Sequence, residues 1–221
     1  MFKPGAELGR LENNPARDDL EEIGRLIGVD MIVNVVLNAD KKVVKAVAGN
    51  PVAAHCTAVA FAKQVFGVQI EKSDIVVVSP GGFPKDINVY QAQKALTPAM
   101  HATKPGGIIV LAAQCRDGSG DESFEQEMSR YRDPNELITA FLQNDFTIGP
   151  HKAYLWAKTL AQFKTILVSD TIAPSLAKKL MVDLRRTLQE AIGAALALSP
   201  VAAKVLVLPN ANSVVPIISS Y

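Results

Sequence analysis

The chain has 221 residues, 48% of them apolar by type and 20% charged, the balance of a folded protein with a sizeable core in one large or two small domains. Twenty-three basic against 22 acidic side chains give a net charge of +1, so the chain lacks the uniform field of a nucleic-acid coat or a polybasic membrane binder. No run of ~18 apolar residues occurs, the N-terminus has no apolar signal segment, and Cys56 and Cys115 are too few for a disulfide framework; together these read as a reducing cytoplasm.

In chain order, residues 1–14 read as an arm or a linker remnant, and 15–221 as a single α/β domain. Asn14 is the expected cap of a first helix that has Pro15 at its start and Asp18, Asp19, Glu21 and Glu22 near its positive end. Leu20, Ile23, Leu26 and Ile27 share one apolar side, and Gly28 ends the helix. Residues 31–37 read as a buried strand, 38–41 as a turn and 43–48 as the returning strand of a hairpin. Asn50 and Pro51 open an alanine-rich helix that runs to Phe66. The run 74–79, DIVVVS, suits a strand buried on both faces, and the loop 80–84 with Gly81 and Gly82 leads into a helix over 87–101 that Pro98 kinks or splits. Residues 108–113, IIVLAA, form the next central strand, which gives a right-handed parallel crossover. After a polar loop over 115–120 come amphipathic segments at 122–130, 134–143 and 151–163. A strand at 165–169 follows, then two helical segments within 173–198, a last core strand at 204–209 and an apolar tail at 214–218. The fold class is therefore α/β, a layered sheet of mainly parallel central strands flanked by helices, with an N-terminal β-hairpin.

Ligands in such sheets gather beyond the carboxyl ends of the strands. There Gly81 and Gly82 let a backbone approach a ligand, and the amides of the following helix favour an anion; the same loop reads equally as a tight turn. On that helix Val89, Ala92, Leu96 and Met100 form the core stripe, while Tyr90, Gln91 and Lys94 fall on the other side at spacings that let their tips converge. A phenol, an amide and an ammonium together suit a small carboxylate or hydroxy acid. A solvated helix face has the same spacing. Lys85 and Asp86 read as a loop charge and a helix cap. His55, His101 and His151 show no metal-ligand spacing, so no metal site is assigned. Cys56 reads as a small packing group. Cys115, beside Arg116 and Asp117, is placed to face a cleft, but no base is assignable to activate it. Ser79 lacks a nucleophile elbow. Trp156 reads as a core or interface residue, with ligand stacking as the alternative.

Three stretches, GVDMIVNVVLNADKKVVKAVAGNPVAAH, DIVVVSPGGFPKDINVYQAQKAL and KPGGIIVLAAQCRDGSGDESFEQEM, resemble the C-terminal domain of the nickel-dependent lactate racemases, and the likeness extends to GRLENNPARDDLEEI and VLPNANSVVPI. The resemblance implies half of a two-domain enzyme that interconverts 2-hydroxy acid stereoisomers by hydride transfer to a nickel-pincer pyridinium mononucleotide. It implies that Tyr90, Gln91 and Lys94 reach the interdomain cleft near substrate and cofactor, and it makes Trp156 a candidate cofactor contact. The family's tethering lysine, nickel-binding histidine and proton-transferring histidines belong to the N-terminal domain, and nothing in this chain matches them. No catalytic residue is therefore expected in this chain, and the cofactor would be held by the N-terminal partner domain. The chain alone would be inactive and, through an exposed interdomain face, inclined to associate with itself. Two functions stand open: the substrate-side half of a 2-hydroxy acid racemase, or a free-standing small-anion or nucleotide module without catalysis.

Overall fold

The computed structural model describes residues 3–6, 9–143 and 149–219. Contacts divide the chain into two compact units, Met1–Gln69 with Ser213–Ile217, and Ile70–Asn212 with Ile218–Tyr221.

In the first unit, α1 (Pro15–Leu26) starts where the sequence places it: the Asn14 side chain accepts from the Ala16 N–H at 3.1 Å, and Pro15 takes the first turn. Its apolar side stays in solvent, with Leu20 63%, Ile23 53% and Leu26 78% exposed. Strands β1 (Ile32–Leu37) and β2 (Val43–Gly49) pair antiparallel as the expected hairpin, its turn braced by the Asn38 carboxamide oxygen accepting from the Asp40 and Lys42 N–H groups. The reading of residues 31–37 as a buried strand is corrected: within β1 only Val36 is buried, while Val33 is 70% exposed. The reason is architectural. A two-stranded ribbon has one covering layer, helix α2 (Pro51–Phe66), whose Ala54 and Ala58 are buried. The alternate side chains Val33, Val35 and Leu37 point to the other face. Asn50 caps α2 by accepting from the Val52 and Ala53 N–H groups. A short strand, β3 (Gly67–Ile70), which the sequence reading did not include, follows at once.

The second unit is built on a five-stranded parallel sheet. Strand β4 (Ser73–Val78) leads through the glycine loop to α3 (Val89–Ala92), a 3₁₀ turn over Gln93–Ala95 and α4 (Leu96–Ala102). The helix expected over 87–101 is thus broken, because Pro98 has no N–H for the Lys94 carbonyl and its ring crowds that carbonyl. Next come β5 (Thr103–Ala112), α5 (Glu122–Ser129), α6 (Pro134–Gln143) and α7 (Pro150–Gln162), then β6 (Lys164–Val168) and α8 (Pro174–Lys179). The unit continues through β7 (Asp183–Arg185), α9 (Leu188–Ala197) and β8 (Val205–Leu208); the following strand β9 (Val215–Ile218) returns to the first unit, where it pairs with β3. The sheet order is β7-β6-β5-β4-β8, every pair parallel.

The stretches 75–78 of β4 and 108–112 of β5 are unbroken apolar runs because both faces are covered there. Val76, Val78, Ile109 and Leu111 pack into one core with α3, α4 and α7; Ile75, Val77, Ile108 and Val110 face the other way, toward Ala191 and Ala195 of α9. The expectation of a core strand at 204–209 is corrected: β8 is the sheet's edge beside β4, with Val205 45% and Val207 58% exposed. Among the described residues, no helix is long and apolar enough to cross a membrane.

Candidate functional site

Successive strands β4, β5, β6 and β7 are laid down in one direction, and β8 is then added on the opposite side of β4. The order reverses between β4 and β8, so the crevice beyond their carboxyl ends is the switch point where parallel sheets hold ligands. Gly81 stands there with φ +104°, and a Cβ on it would overlap the Asn210 Oδ1 of the loop after β8. Its freedom therefore admits a neighbour from the chain itself. Gly82, φ +73°, has open space where a side chain would be. Ser79 is a brace: its hydroxyl accepts from the Gly81 N–H at 3.2 Å, and its backbone bonds Leu208 and Ala211 on the β8 side.

The loop after β5 is pinned to the same region. Cys115 N–H donates to Asp86 O at 2.9 Å, Asp117 N–H to Ile87 O at 2.9 Å, and the Val89 and Tyr90 N–H groups to Gly118 O and Ser119 O at 3.0 Å. Asp86 is not the helix cap; its carboxylate accepts from the Gln114 N–H at 3.3 Å, while Asn88 caps α3 by accepting from the Gln91 N–H at 2.9 Å. The first amides of α3 are already used within the chain, Val89 and Tyr90 by Gly118 O and Ser119 O and Gln91 by the Asn88 side chain, so the anion seat expected on them is occupied. Lys85 is exposed, and Arg116 stacks its guanidinium 4.2 Å above the exposed Phe83 ring.

Tyr90, Gln91 and Lys94 stand on the side of this segment opposite the buried Val89, Ala92 and Leu96. Tyr90 and Gln91 are half-buried and Lys94 is exposed. The Lys94 ammonium donates to the Gln91 Oε1 at 2.7 Å, so two of the three tips meet. The Tyr90 ring is fixed edge-on against Phe124, centroids 6.2 Å apart. A fourth group joins from the first turn of α7: the Lys152 ammonium lies 5.2 Å from the Tyr90 ring centroid. Burial, and then the charge of Lys94, hold the Lys152 ammonium below the usual lysine range. Sequence reasoning missed Lys152 because it sits on a helix remote in the chain, where no local spacing relates it to the trio.

The remaining candidates fall elsewhere. Trp156 is fully buried, donates its indole N–H to Leu180 O at 2.9 Å and packs edge-on against Phe124, so its donor is used inside the core. Cys115 is also fully buried and does not face a cleft; burial first, then the Asp86 charge, push its thiol up to about 12. Cys56, read as a packing group, is exposed. His151 accepts the Gly149 N–H on Nδ1 at 3.1 Å; burial and then Lys152 lower its pKa against the pull of Asp121. Burial and Arg17 lower that of His55. Among the described residues no group of three or more His, Cys, Asp or Glu side chains converges as a metal seat. Two surface concavities, of about 380 and 310 Å³, are lined by residues 9–13 with Lys63 and by residues between Arg132 and Asp183; neither is lined by the trio.

Residues 68–216 match the sequence model of the lactate racemase C-terminal domain. The lactate racemase of Lactiplantibacillus plantarum is 35% identical over 215 residues, which is 96% of this chain and 51% of that protein. That of Thermoanaerobacterium thermosaccharolyticum is 33% identical over 96% of this chain and 50% of its own length. The structure of the latter's apoprotein superimposes with a TM-score of 0.91 at 31% identity, covering 97% of this chain and 52% of that one. A Thermotoga maritima protein with a TM-score of 0.62 at 14% identity shares the fold. The chain thus spans about half the length of these racemases. The match over 68–216 takes in the whole parallel sheet and the segment that carries Tyr90, Gln91 and Lys94: the chain belongs to the lactate racemase C-terminal domain family.

Proposed function

We propose that this chain is the substrate-side half of an isomerase that racemises a small 2-hydroxy acid, with Tyr90, Gln91 and Lys94 as its binding face. The observation that carries this reading is the Lys94–Gln91 contact on the open side of the segment after β4. An ammonium held by a neutral amide keeps its charge available, and a carboxylate is its natural counterion. Gln91 orients Lys94 through Oε1, which leaves its own NH₂ group to donate to a carboxylate or hydroxyl oxygen. The Tyr90 hydroxyl adds a directional bond at the edge of the apolar core. In the loop that leads into this segment, Gly82 has open space where a side chain would be.

Inverting a carbon that bears a hydroxyl and a carboxylate requires a group to take its hydrogen and return it on the other face. The family resemblance assigns that chemistry to a nickel-pincer mononucleotide, which accepts hydride when bound. The residues here do not fit as its seat: the trio supplies ammonium, amide and phenol groups, the described residues offer no converging metal ligands, and Cys115 stays a protonated, buried thiol. In this reading the cofactor and the proton-transfer groups reside on the half of the enzyme that this chain does not span. The chain contributes binding and orientation, and the second half closes the cleft and excludes water. The exposed apolar face of Val33, Val35 and Leu37 supports a further polypeptide against the first unit.

Mixing this chain with the cofactor-loaded N-terminal half of a related racemase tests the reading. D-lactate should appear from L-lactate in the mixture and from neither half alone. Racemisation by this chain unaided, or a stable complex of the two halves that leaves L-lactate and related hydroxy acids untouched, would overturn it. Tight unaided calorimetric binding of a hydroxy acid or mononucleotide, with no turnover in the complex, would instead establish a binding module.

A further inference from the structure

Lys94 and Lys152 come from different helical segments, and among the described residues neither forms an ion pair with a carboxylate. Their approach is fixed by the fold. The buried Gln93, immediately before Lys94, donates from Nε2 to the Lys152 carbonyl at 2.6 Å and ties the first turn of α7 to the 3₁₀ turn. Tyr90 stands on the trio's side with the Lys152 ammonium over its ring, 5.2 Å from the centroid. Asp121, whose charge acts on the neighbouring His151, is already engaged by the Ser123 hydroxyl at 2.6 Å and the Phe124 N–H at 2.8 Å. The Lys94 charge acts on the partly buried Lys152 ammonium, so the two repel each other and burial of one adds to the cost. A bound anion relieves both.

We infer that Lys152 is a second anchoring residue of this site, and that Lys94 and Lys152 together take the two oxygens of one carboxylate or comparable oxyanion laid against the Tyr90 ring. This rests on the reading above for the identity of the acid, though the two-lysine seat itself does not depend on it. The arrangement gives the ligand an orientation that one lysine alone would not. With both carboxylate oxygens fixed, rotation about the C1–C2 bond decides where the hydroxyl falls, and the Gln91 amide is the group beside it. Lys152 therefore acts in selecting acids with a free carboxylate over esters and amides.

Lysine ¹³Cε NMR of the full chain, titrated to about 100 mM with sodium L-lactate and separately with inorganic phosphate at constant ionic strength, tests this. The Lys94 and Lys152 resonances should move together along one binding curve. Lys152→Gln should weaken that curve roughly ten-fold, and Lys152→Arg should restore most of it. The ¹⁵N–¹H spectrum of each variant reports folding, so a lost fold is distinguished from a lost site. Movement of both lysines with phosphate but not with lactate keeps the two-lysine seat and removes the 2-hydroxy acid reading. Movement of Lys94 alone with lactate, at unchanged affinity in Lys152→Gln, overturns the seat and keeps that reading. No movement with either anion overturns both.

Discussion

At the scale of single residues, the two cysteines show how position in the fold decides chemistry. Cys115 ends the loop side of β5 with φ +55°, its N–H tied to Asp86 and its thiol sealed by packing. Cys56 lies exposed on a helix. A thiol held up to about 12 presents almost no thiolate at neutral pH. Aromatic disulfide reagents should therefore modify one thiol per folded chain, and Cys56→Ser should abolish that reaction; rapid labelling of Cys115 in the folded state would contradict this account. In sequence Cys115 looked placed to face a cleft because it ends a central strand and precedes Arg116 and Asp117, and charged neighbours say little about one side chain that turns inward. Trp156 sits in the core, its indole N–H donating to Leu180 O at the end of α8, a partner too far along the chain for local spacing to reveal. That Tyr90, Gln91 and Lys94 share one side of their segment was legible because helical spacing is a local property. Lys152 was not, since only tertiary structure brings it over Tyr90.

At the scale of elements, the strand runs were readable where burial is two-sided and misleading where it is not. IIVLAA and DIVVVS lie in the middle of the sheet, so composition alone marks them. KVLVLP has the same composition but stands at the edge, and strand order is a non-local property. Three strands are also fastened at their amino ends by one carboxylate. Asp74 of β4 accepts from the Lys104 ammonium of β5 at 3.0 Å and from the Lys204 N–H just before β8 at 2.9 Å. The Lys204 N–H first, then Lys104, hold its carboxyl below the ordinary 3.8. A carboxylate with a lowered native pKa stabilises the fold above its unfolded value and loses that contribution as pH falls through the native one. Thermal unfolding followed from about pH 5 down to about pH 2 should therefore show a steeper loss of stability in the native chain than in Asp74→Asn. Parallel curves would remove Asp74 from the acid response. Across the same sheet, the 3₁₀ turn over Gln93–Ala95 shows an element boundary set by one residue, since Pro98 was visible in sequence while the place of the break was not.

At the scale of the whole molecule, the proposed reading makes the chain a scaffold that presents a binding face to the other half of the enzyme. A parallel sheet packed on both sides fixes the loops after β4, β5 and β8, and these hold the short segment with Lys94. The first unit contributes a hairpin with one face open to solvent. Both features agree with a chain that spans half the length of its racemase relatives. The central claim is that Lys94 binds the acid that is racemised, and the measurement that tests it most directly is the rate of D-lactate formation by the two-half complex with Lys94→Ala in this chain. Loss of a charge-assisted bond to the substrate should lower kcat/KM by roughly 10- to 100-fold while the complex still assembles. An unchanged kcat/KM in that complex would contradict the account.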